Sequence, residues 1–342
     1  MLVQTIMLFL GITAGTMIAT SSHHWLVAWA GLELNTLAVL PMISKTKHPR
    51  AIEASTKYFL SQAIASCLLL TSSIINAWQT GSWDITQMAN KHTTTMMTIA
   101  LAMKSGLAPF HFWFPEVMQG STLDIALLMS TWQKLAPMIL FYSTSNHIQP
   151  TTALILGILS STLGGWGGMN QTQLRKMMAY SSISNMGWAL MVFTSEPNTS
   201  TINVVIYITI MIPTFLLMTT LTTKTLQNLS ESWTTSPSAA TALLLLLLST
   251  AGLPPLTGFL PKLLILKELM TQNFTPVAVI ISMTSLLNLT FYLRTAYLTT
   301  LLNPPTSTTS MMKWRHTLNS TKWTLTAPTS VMSTTALPSA IP

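Results

Sequence analysis

Charge is scarce in this chain. Of 342 residues only 7% are charged, 16 basic and 8 acidic, where an ordinary soluble domain carries about a quarter. So few charges cannot cover a chain of this length with a hydrated surface, which excludes a water-soluble enzyme or binding module. Cysteine is almost missing: Cys67 stands alone, ruling out an intramolecular disulfide and a thiolate metal cluster. No glycine-rich phosphate loop, zinc-ligand spacing or nucleophile motif stands out. No pair of histidines sits at matching depth on facing helices, as an axially ligated haem would need. The start, Met1-Leu2-Val3-Gln4, has neither a charged n-region nor an Arg-rich presequence. The first apolar run is therefore expected to belong to the mature protein. A net charge of +8 would suggest nucleic acid in a soluble protein, but the basic residues form no stripe and no basic helix. No nucleic-acid partner is expected.

Apolar sequence fills the space that charge leaves. Hydrophobic residues make up 49% of the chain, with 23 Met and 11 Trp. Threonine is abundant and fits a membrane helix, because its hydroxyl can bond a carbonyl one turn back. A bilayer core needs about 20 apolar residues per helix. The sequence predicts an all-α, polytopic membrane protein of about 11 transmembrane helices. They cover 2–20, 24–44, 57–78, 94–114, 122–143, 151–169, 174–194, 201–222, 239–272, 275–298 and 323–341. The ninth is too long for one span, and the eleventh contains Pro328 and Pro338. Connections are short except the Pro/Ser/Thr-rich stretch 303–322.

Loop charge orients this layout. With the N-terminus inside and strict alternation, the inner side holds Lys45, Lys47, Arg50, Lys57, Arg175 and Lys176. It also holds Lys224, Arg294, Lys313, Arg315 and Lys322, against Lys91 and Lys267 outside. Such asymmetry is what the positive-inside rule demands, and it puts the C-terminus outside.

A repeat divides the chain. Gly106-Leu107-Ala108-Pro109-Phe110 leads to Pro115, and Gly252-Leu253-Pro254-Pro255-Leu256 leads to Pro261 at the same offset. One lies in the fourth span and the other in the ninth, so each is the fourth helix of a five-helix set. An odd number of helices per set inverts the second relative to the first, a transporter signature. Proline removes a backbone donor and clashes with the preceding turn, so both helices should open mid-membrane. The expected organisation is two inverted five-helix repeats with a broken helix in each. Residues 1–146 form the first, 147–300 the second, and 301–342 a loop and C-terminal helix.

Four ionisable side chains fall away from span ends: Glu33, Lys104, Lys134 and Lys262. Facing lipid as charges, each would cost roughly 2.5–3.5 kcal/mol, so they must face one another, water or a partner. Desolvation favours the neutral form of either group, and an opposite charge nearby favours the charged form. A lysine poised between the two can exchange a proton. The same residues also fit structural salt bridges or snorkelling chains, with Glu33 as a static partner of Lys104. His111 sits in the broken part of the fourth span, Pro109-Phe110-His111-Phe112-Trp113, where it can relay protons or cap a freed carbonyl. His23 and His24 fall between spans, where exposure is the default. The hydroxyl run Tyr180-Ser181-Ser182-Ile183-Ser184 suggests a hydrated or closely packed face.

These residues carry a family resemblance. Gly31-Leu32-Glu33-Leu34-Asn35, Met103-Lys104, Ala108-Pro109-Phe110-His111-Phe112-Trp113 and Trp132-Gln133-Lys134-Leu135-Ala136-Pro137 are part of it. Asn170-Gln171-Thr172-Gln173-Leu174-Arg175-Lys176 and the stretch from Gly252 through Lys262 complete it. Over essentially its whole length the chain resembles the antiporter-like membrane subunits of respiratory complex I, of the vertebrate mitochondrial type. The resemblance implies the mitochondrial inner membrane, with the N-terminus on the matrix side and the C-terminus on the intermembrane-space side. It implies proton translocation through residues matching Glu33, Lys104, Lys134 and Lys262. It also implies partners among antiporter-like and small membrane-arm chains, together with membrane lipids. No cofactor is expected in this chain: NADH, FMN, iron–sulfur clusters and ubiquinone belong to partner subunits. Bacterial relatives carry further N-terminal helices, so one flank here is expected to be open for a partner.

Two rival functions share the buried charges. A stand-alone cation/proton antiporter would have the same repeat, and a purely structural membrane spacer would keep the charges as packing pairs. Co-purification separates the first from the complex, and charge-neutral substitution separates the second.

Overall fold

A helix that is apolar on every side can only be buried in protein or lipid. The computed structural model, which describes residues 2–88, 90–300 and 330, has such helices at Leu2–Ser21, Trp25–Ser44, Pro150–Met169 and Pro197–Thr220. The first three helices of the chain are α1 (Leu2–Ser21), α2 (Trp25–Ser44) and α3 (Pro49–Thr80). Next come α4 (Lys91–Ser105), α5 (Trp113–Gly120), α6 (Leu123–Ser130) and α7 (Trp132–Thr144), closed by a 3₁₀ turn at Ser145–His147. Then follow α8 (Pro150–Met169), α9 (Leu174–Val192), α10 (Pro197–Thr220) and the short α11 (Leu226–Thr235). The last are α12 (Pro237–Ala251), α13 (Phe259–Thr271) and α14 (Thr275–Thr300). Among the described residues no strand occurs, only isolated bridges at His24–Asp84 and Gln173–Thr225. The expected last helix at 323–341, the segment 301–342, and Lys313, Arg315 and Lys322 lie outside the described residues, Ser330 apart.

Among the described residues, seven segments are long and apolar enough to cross a membrane: Gln4–Ser21, Trp25–Ser44, Pro49–Thr80, Leu123–His147, Pro150–Met169, Pro197–Thr220 and Thr275–Thr300. The other expected spans have physical reasons to differ. Those at 94–114 and 239–272 are each interrupted, as α4/α5 and α12/α13. The one at 174–194 is a continuous helix diluted by buried Ser181, Ser182 and Ser184. Helix α3 begins earlier than the apolar pattern implied, because His48 accepts the Arg50 N–H at 3.2 Å and Pro49 occupies the first turn. Its 32 residues span about 48 Å, so it overshoots the hydrocarbon core.

Two compact units emerge. One comprises Met1–Ser160 with Ala189–Thr201, the other Ser161–Trp188 with the described residues from Ile202 on. In the first, α2 packs on α1 and α3, α3 on α4 and α5, and α4 on α7. In the second, α11, α12 and α13 all pack on α14. Large apolar side chains also cover the outside, with Met7, Leu10, Met17 and Trp78 facing outward, while Asn35, Gln62, Ser72 and Asn76 are buried beside the apolar core. Most buried hydroxyls are satisfied locally, as where Ser72 donates to the Leu69 carbonyl at 2.8 Å.

Close helix approach depends on small residues where lipid supplies no hydrophobic drive. A Cβ on Gly31 would lie 2.7 Å from the Ala19 nitrogen and 2.9 Å from the Gly15 carbonyl oxygen. These are backbone atoms that cannot step aside. Gly31→Ala should therefore force α1 off α2 and cost about 1–3 kcal/mol, read as a lower unfolding midpoint of the purified assembly. Gly11→Ala, whose Cβ would meet only the Ala38 side chain at 3.1 Å, should cost less. Equal losses would mean that the α1–α2 approach does not limit stability.

Candidate functional site: buried charges at broken helices

Both interruptions close the same way. Helix α4 ends at Ser105, and Gly106 takes φ +78° with its N–H directed to the Ala102 and Met103 carbonyls. The Leu107 N–H then returns to Ala102 O at 2.9 Å. Helix α12 ends at Ala251, Gly252 takes φ +83°, and its N–H is directed to Leu248 and Ser249. The left-handed residue satisfies terminal carbonyls, and glycine adopts it without a Cβ penalty. Prolines 109, 254 and 255 then withhold the donors that would continue the helix. The chain re-enters helix at α5 and α13.

Each break carries a lysine with a different neighbour. Lys104, in the last turn of α4, places its Nζ 3.7 Å from Glu33 Oε1 on α2. The ammonium is almost fully enclosed and the carboxylate about a quarter exposed. Thr36 orients that carboxylate, its hydroxyl lying 3.2 Å from Glu33 Oε2 and 2.8 Å from the Glu33 carbonyl. Lys134 on α7 is 2% exposed. Its Nζ lies 5.1 Å from the centroid of Phe114, a ring that the α4–α5 break presents from α5. In the second unit, Lys262 on α13 reaches back across the break and donates to the Ala251 carbonyl at the end of α12. Unsatisfied carbonyls concentrate negative charge there. The ring of Trp188 lies 5.8 Å from its Nζ. His111 is buried in the α4–α5 link and stacked on Phe112 at 4.4 Å.

Other contributors to this region are not spelled out by a motif. The span carrying Lys134 is interrupted at Thr131, with no glycine or proline at the break. The Leu127 carbonyl there receives three donors: the Thr131 N–H at 3.0 Å, the Thr131 hydroxyl at 2.7 Å and the Ser130 hydroxyl at 3.0 Å. Pro137, inside α7, withholds a further donor from the Gln133 carbonyl. Asn35 and Gln133 clasp α2 to α7 through reciprocal amide bonds of 3.1 Å each. Glu33 stands two residues before Asn35 and Lys134 directly follows Gln133, so the clasp ties the carboxylate's helix to the second lysine's helix. Lys57 holds Glu53 and Glu116 at 2.5 Å each, fastening α5 to the start of α3. His24, expected to be exposed, accepts the Leu26 N–H at 3.3 Å and stacks on Trp83.

Comparison with known proteins agrees with this architecture. The transmembrane family NADH:quinone oxidoreductase/Mrp antiporter matches residues 22–288, and the NADH dehydrogenase subunit 2 C-terminus family matches 289–341. NADH-ubiquinone oxidoreductase chain 2 of Gallus gallus is 51% identical over 324 residues, 95% of this chain and 93% of that one. The Xenopus laevis chain of the same name is 49% identical over 299 residues, 87% of each. Among solved structures, a chain of respiratory complex I from Thermus thermophilus with bound aureothin superposes with TM-score 0.81 at 24% identity. It covers 98% of this chain and 79% of that one. A chain of the Mrp complex from Dietzia superposes with TM-score 0.77 at 18% identity, covering 89% and 62%. With half its residues shared over nearly the full length of both chains, this protein belongs to the NADH-ubiquinone oxidoreductase chain 2 family.

Proposed function

We propose that Glu33, Lys104, Lys134 and Lys262 carry the proton-translocating activity of this chain, with His111 as a relay in the first break. By its family the chain is a membrane-arm subunit of respiratory complex I, the proton-translocating NADH:ubiquinone reductase of the mitochondrial membrane. Electron transfer from NADH through FMN and iron–sulfur clusters to ubiquinone takes place in partner subunits. This chain turns a distant conformational or electrostatic signal into proton movement. The observation that carries the reading is the Glu33–Lys104 pair at 3.7 Å, a contact loose enough to be exchanged. Its lysine sits on a helix that ends one residue later at a break.

The cycle has two positions. With Lys104 held by Glu33, Lys134 is free of like-charge repulsion and takes a proton. When Lys104 leaves Glu33 toward Lys134, repulsion favours the neutral amine and the proton departs. Lys262 serves the outward half, and the broken helices admit water to mid-membrane depth. The topology proposed with it is eleven spans in two inverted five-helix repeats, 1–146 and 147–300, with 301–342 adding the last helix. The N-terminus faces the matrix and the C-terminus the intermembrane space. Antiporter-like and small membrane-arm chains, with lipids, cover the flanks. The similar left-handed glycines at the two breaks support the repeat.

The pair is tested by charge-neutral substitution. Glu33→Gln with Lys104→Met removes both charges, so it avoids the cost of one unpaired buried charge, about 3–5 kcal/mol. The assembled complex in vesicles should then move fewer protons per electron pair at matched electron transfer. An unchanged ratio would leave the pair a packing device and this chain a spacer.

A further inference from the structure

The second unit contains a small cleft that none of the four ionisable residues lines. It measures about 10 Å³, the room that one water centre occupies. Ser249 and Thr250, from the last turn of α12, line it together with Gly258, just before α13, and Pro261 in its first turn. Asn185 from α9 and Asn203 and Tyr207 from α10 complete its polar lining. Its position is specific: Pro261 precedes Lys262, and Thr250 precedes Ala251, whose carbonyl accepts the Lys262 ammonium.

The lining has a definite chemical character. Ser249 donates its proton to the Leu246 carbonyl and Thr250 donates to Leu247, both at 2.7 Å. The Asn203 amide donates to the Asn185 carbonyl at 3.3 Å. With those protons committed, the oxygens of Ser249, Thr250 and Asn203 offer acceptors. Two buried phenols extend the set: Tyr207 lies beside Ser182 and Tyr292, and Tyr292 beside Ser181 and Thr250. No carboxylate lines the cleft, so a bare cation would be desolvated there without a counter-charge. Water both donates and accepts, and it suits acceptor oxygens with a phenol at hand.

We propose that this cleft is a water site that passes protons to and from Lys262, with Thr250 and Tyr207 holding the water and the Tyr292 hydroxyl extending the relay. A proton arriving on the water is handed on as another leaves, so each hydroxyl keeps one proton throughout. This inference rests on the reading of Lys262 as a proton carrier.

The test uses the complete complex reconstituted in vesicles, comparing protons moved per electron pair at matched electron transfer. Tyr207→Phe and Thr250→Val remove hydroxyls at nearly constant volume, and Lys262→Met removes the ammonium. All three are expected to lower the ratio, and Tyr207→Phe added to Lys262→Met should lower it no further. If Lys262→Met lowers the ratio while both hydroxyl variants leave it at the wild-type value, the water site is wrong and the reading of Lys262 stands. If Lys262→Met changes nothing, both fall. A high-resolution structure of the unmodified complex checks the same point without any variant. Water density touching Thr250 and Tyr207 supports the proposal, while an empty cleft, or a sodium ion with a sodium-dependent ratio, overturns it.

Discussion

Lys134→Met in the assembled complex is expected to remove this chain's share of the protons moved per electron pair while leaving assembly intact. Stability and function should separate here for a physical reason. Lys134 is almost fully buried, with an aromatic ring as its neighbour. Carrying a charge at such a site costs several kcal/mol of desolvation, and the Phe114 ring, one of its neighbours, returns about 2 kcal/mol of it. Methionine fills a similar volume with a flexible, apolar chain and ends that cost. A lysine kept for packing would make the variant equal or better in every assay. A lysine kept for protons would give a complex that unfolds no earlier, transfers electrons, and pumps less. Measuring the unfolding midpoint, NADH oxidation and the proton ratio on one preparation distinguishes these outcomes. Parallel loss of midpoint and ratio would reduce Lys134 to a folding role, and an unchanged ratio would take it off the proton path.

How much of this was legible before any coordinates depends on how local the cause is. A charge in mid-span announces itself, because an apolar run offers it no solvent, and Glu33 and Lys104 were recognisable as possible partners on that ground. The two breaks were legible because Gly-Leu followed by proline is a local chemical instruction. By contrast, the interruption at Thr131 falls where three donors converge on one carbonyl. Serine and threonine occur throughout these helices without breaking them, so no pattern marks this pair in advance. The Asn35–Gln133 clasp joins residues 98 positions apart and has no signature in either neighbourhood. Helix α3 illustrates a third kind of difficulty. Arg50, Glu53 and Lys57 look like loop charges in a hydropathy profile, yet Glu53 and Lys57 are an i,i+4 pair on the opening turns of a helix.

Shared break geometry with different surroundings yields the other large expected effect. Gly252→Ala and Gly106→Ala both force a Cβ into a left-handed backbone, at φ +83° and +78°, for about 1–2 kcal/mol each. What the new methyl meets is not the same. At Gly106 the nearest atoms are Phe114 Cβ and a ring carbon of Trp113, both at 3.4 Å, a tight contact that small rotations relieve. At Gly252 they are Cδ, Nζ and Cε of Lys262 at 2.8–2.9 Å. That chain can move only by giving up the Ala251 carbonyl. The two variants should lose similar stability, but Gly252→Ala should lower protons moved per electron pair well below Gly106→Ala. The difference between them reports the position of the Lys262 ammonium with the backbone penalty cancelled. Lys262→Met on the Gly252→Ala background should then lower the ratio no further, since the ammonium is already displaced. Equal ratios in the two alanine variants would show that the seat of Lys262 at the end of α12 does not govern proton movement, and that glycine at 252 serves the turn alone.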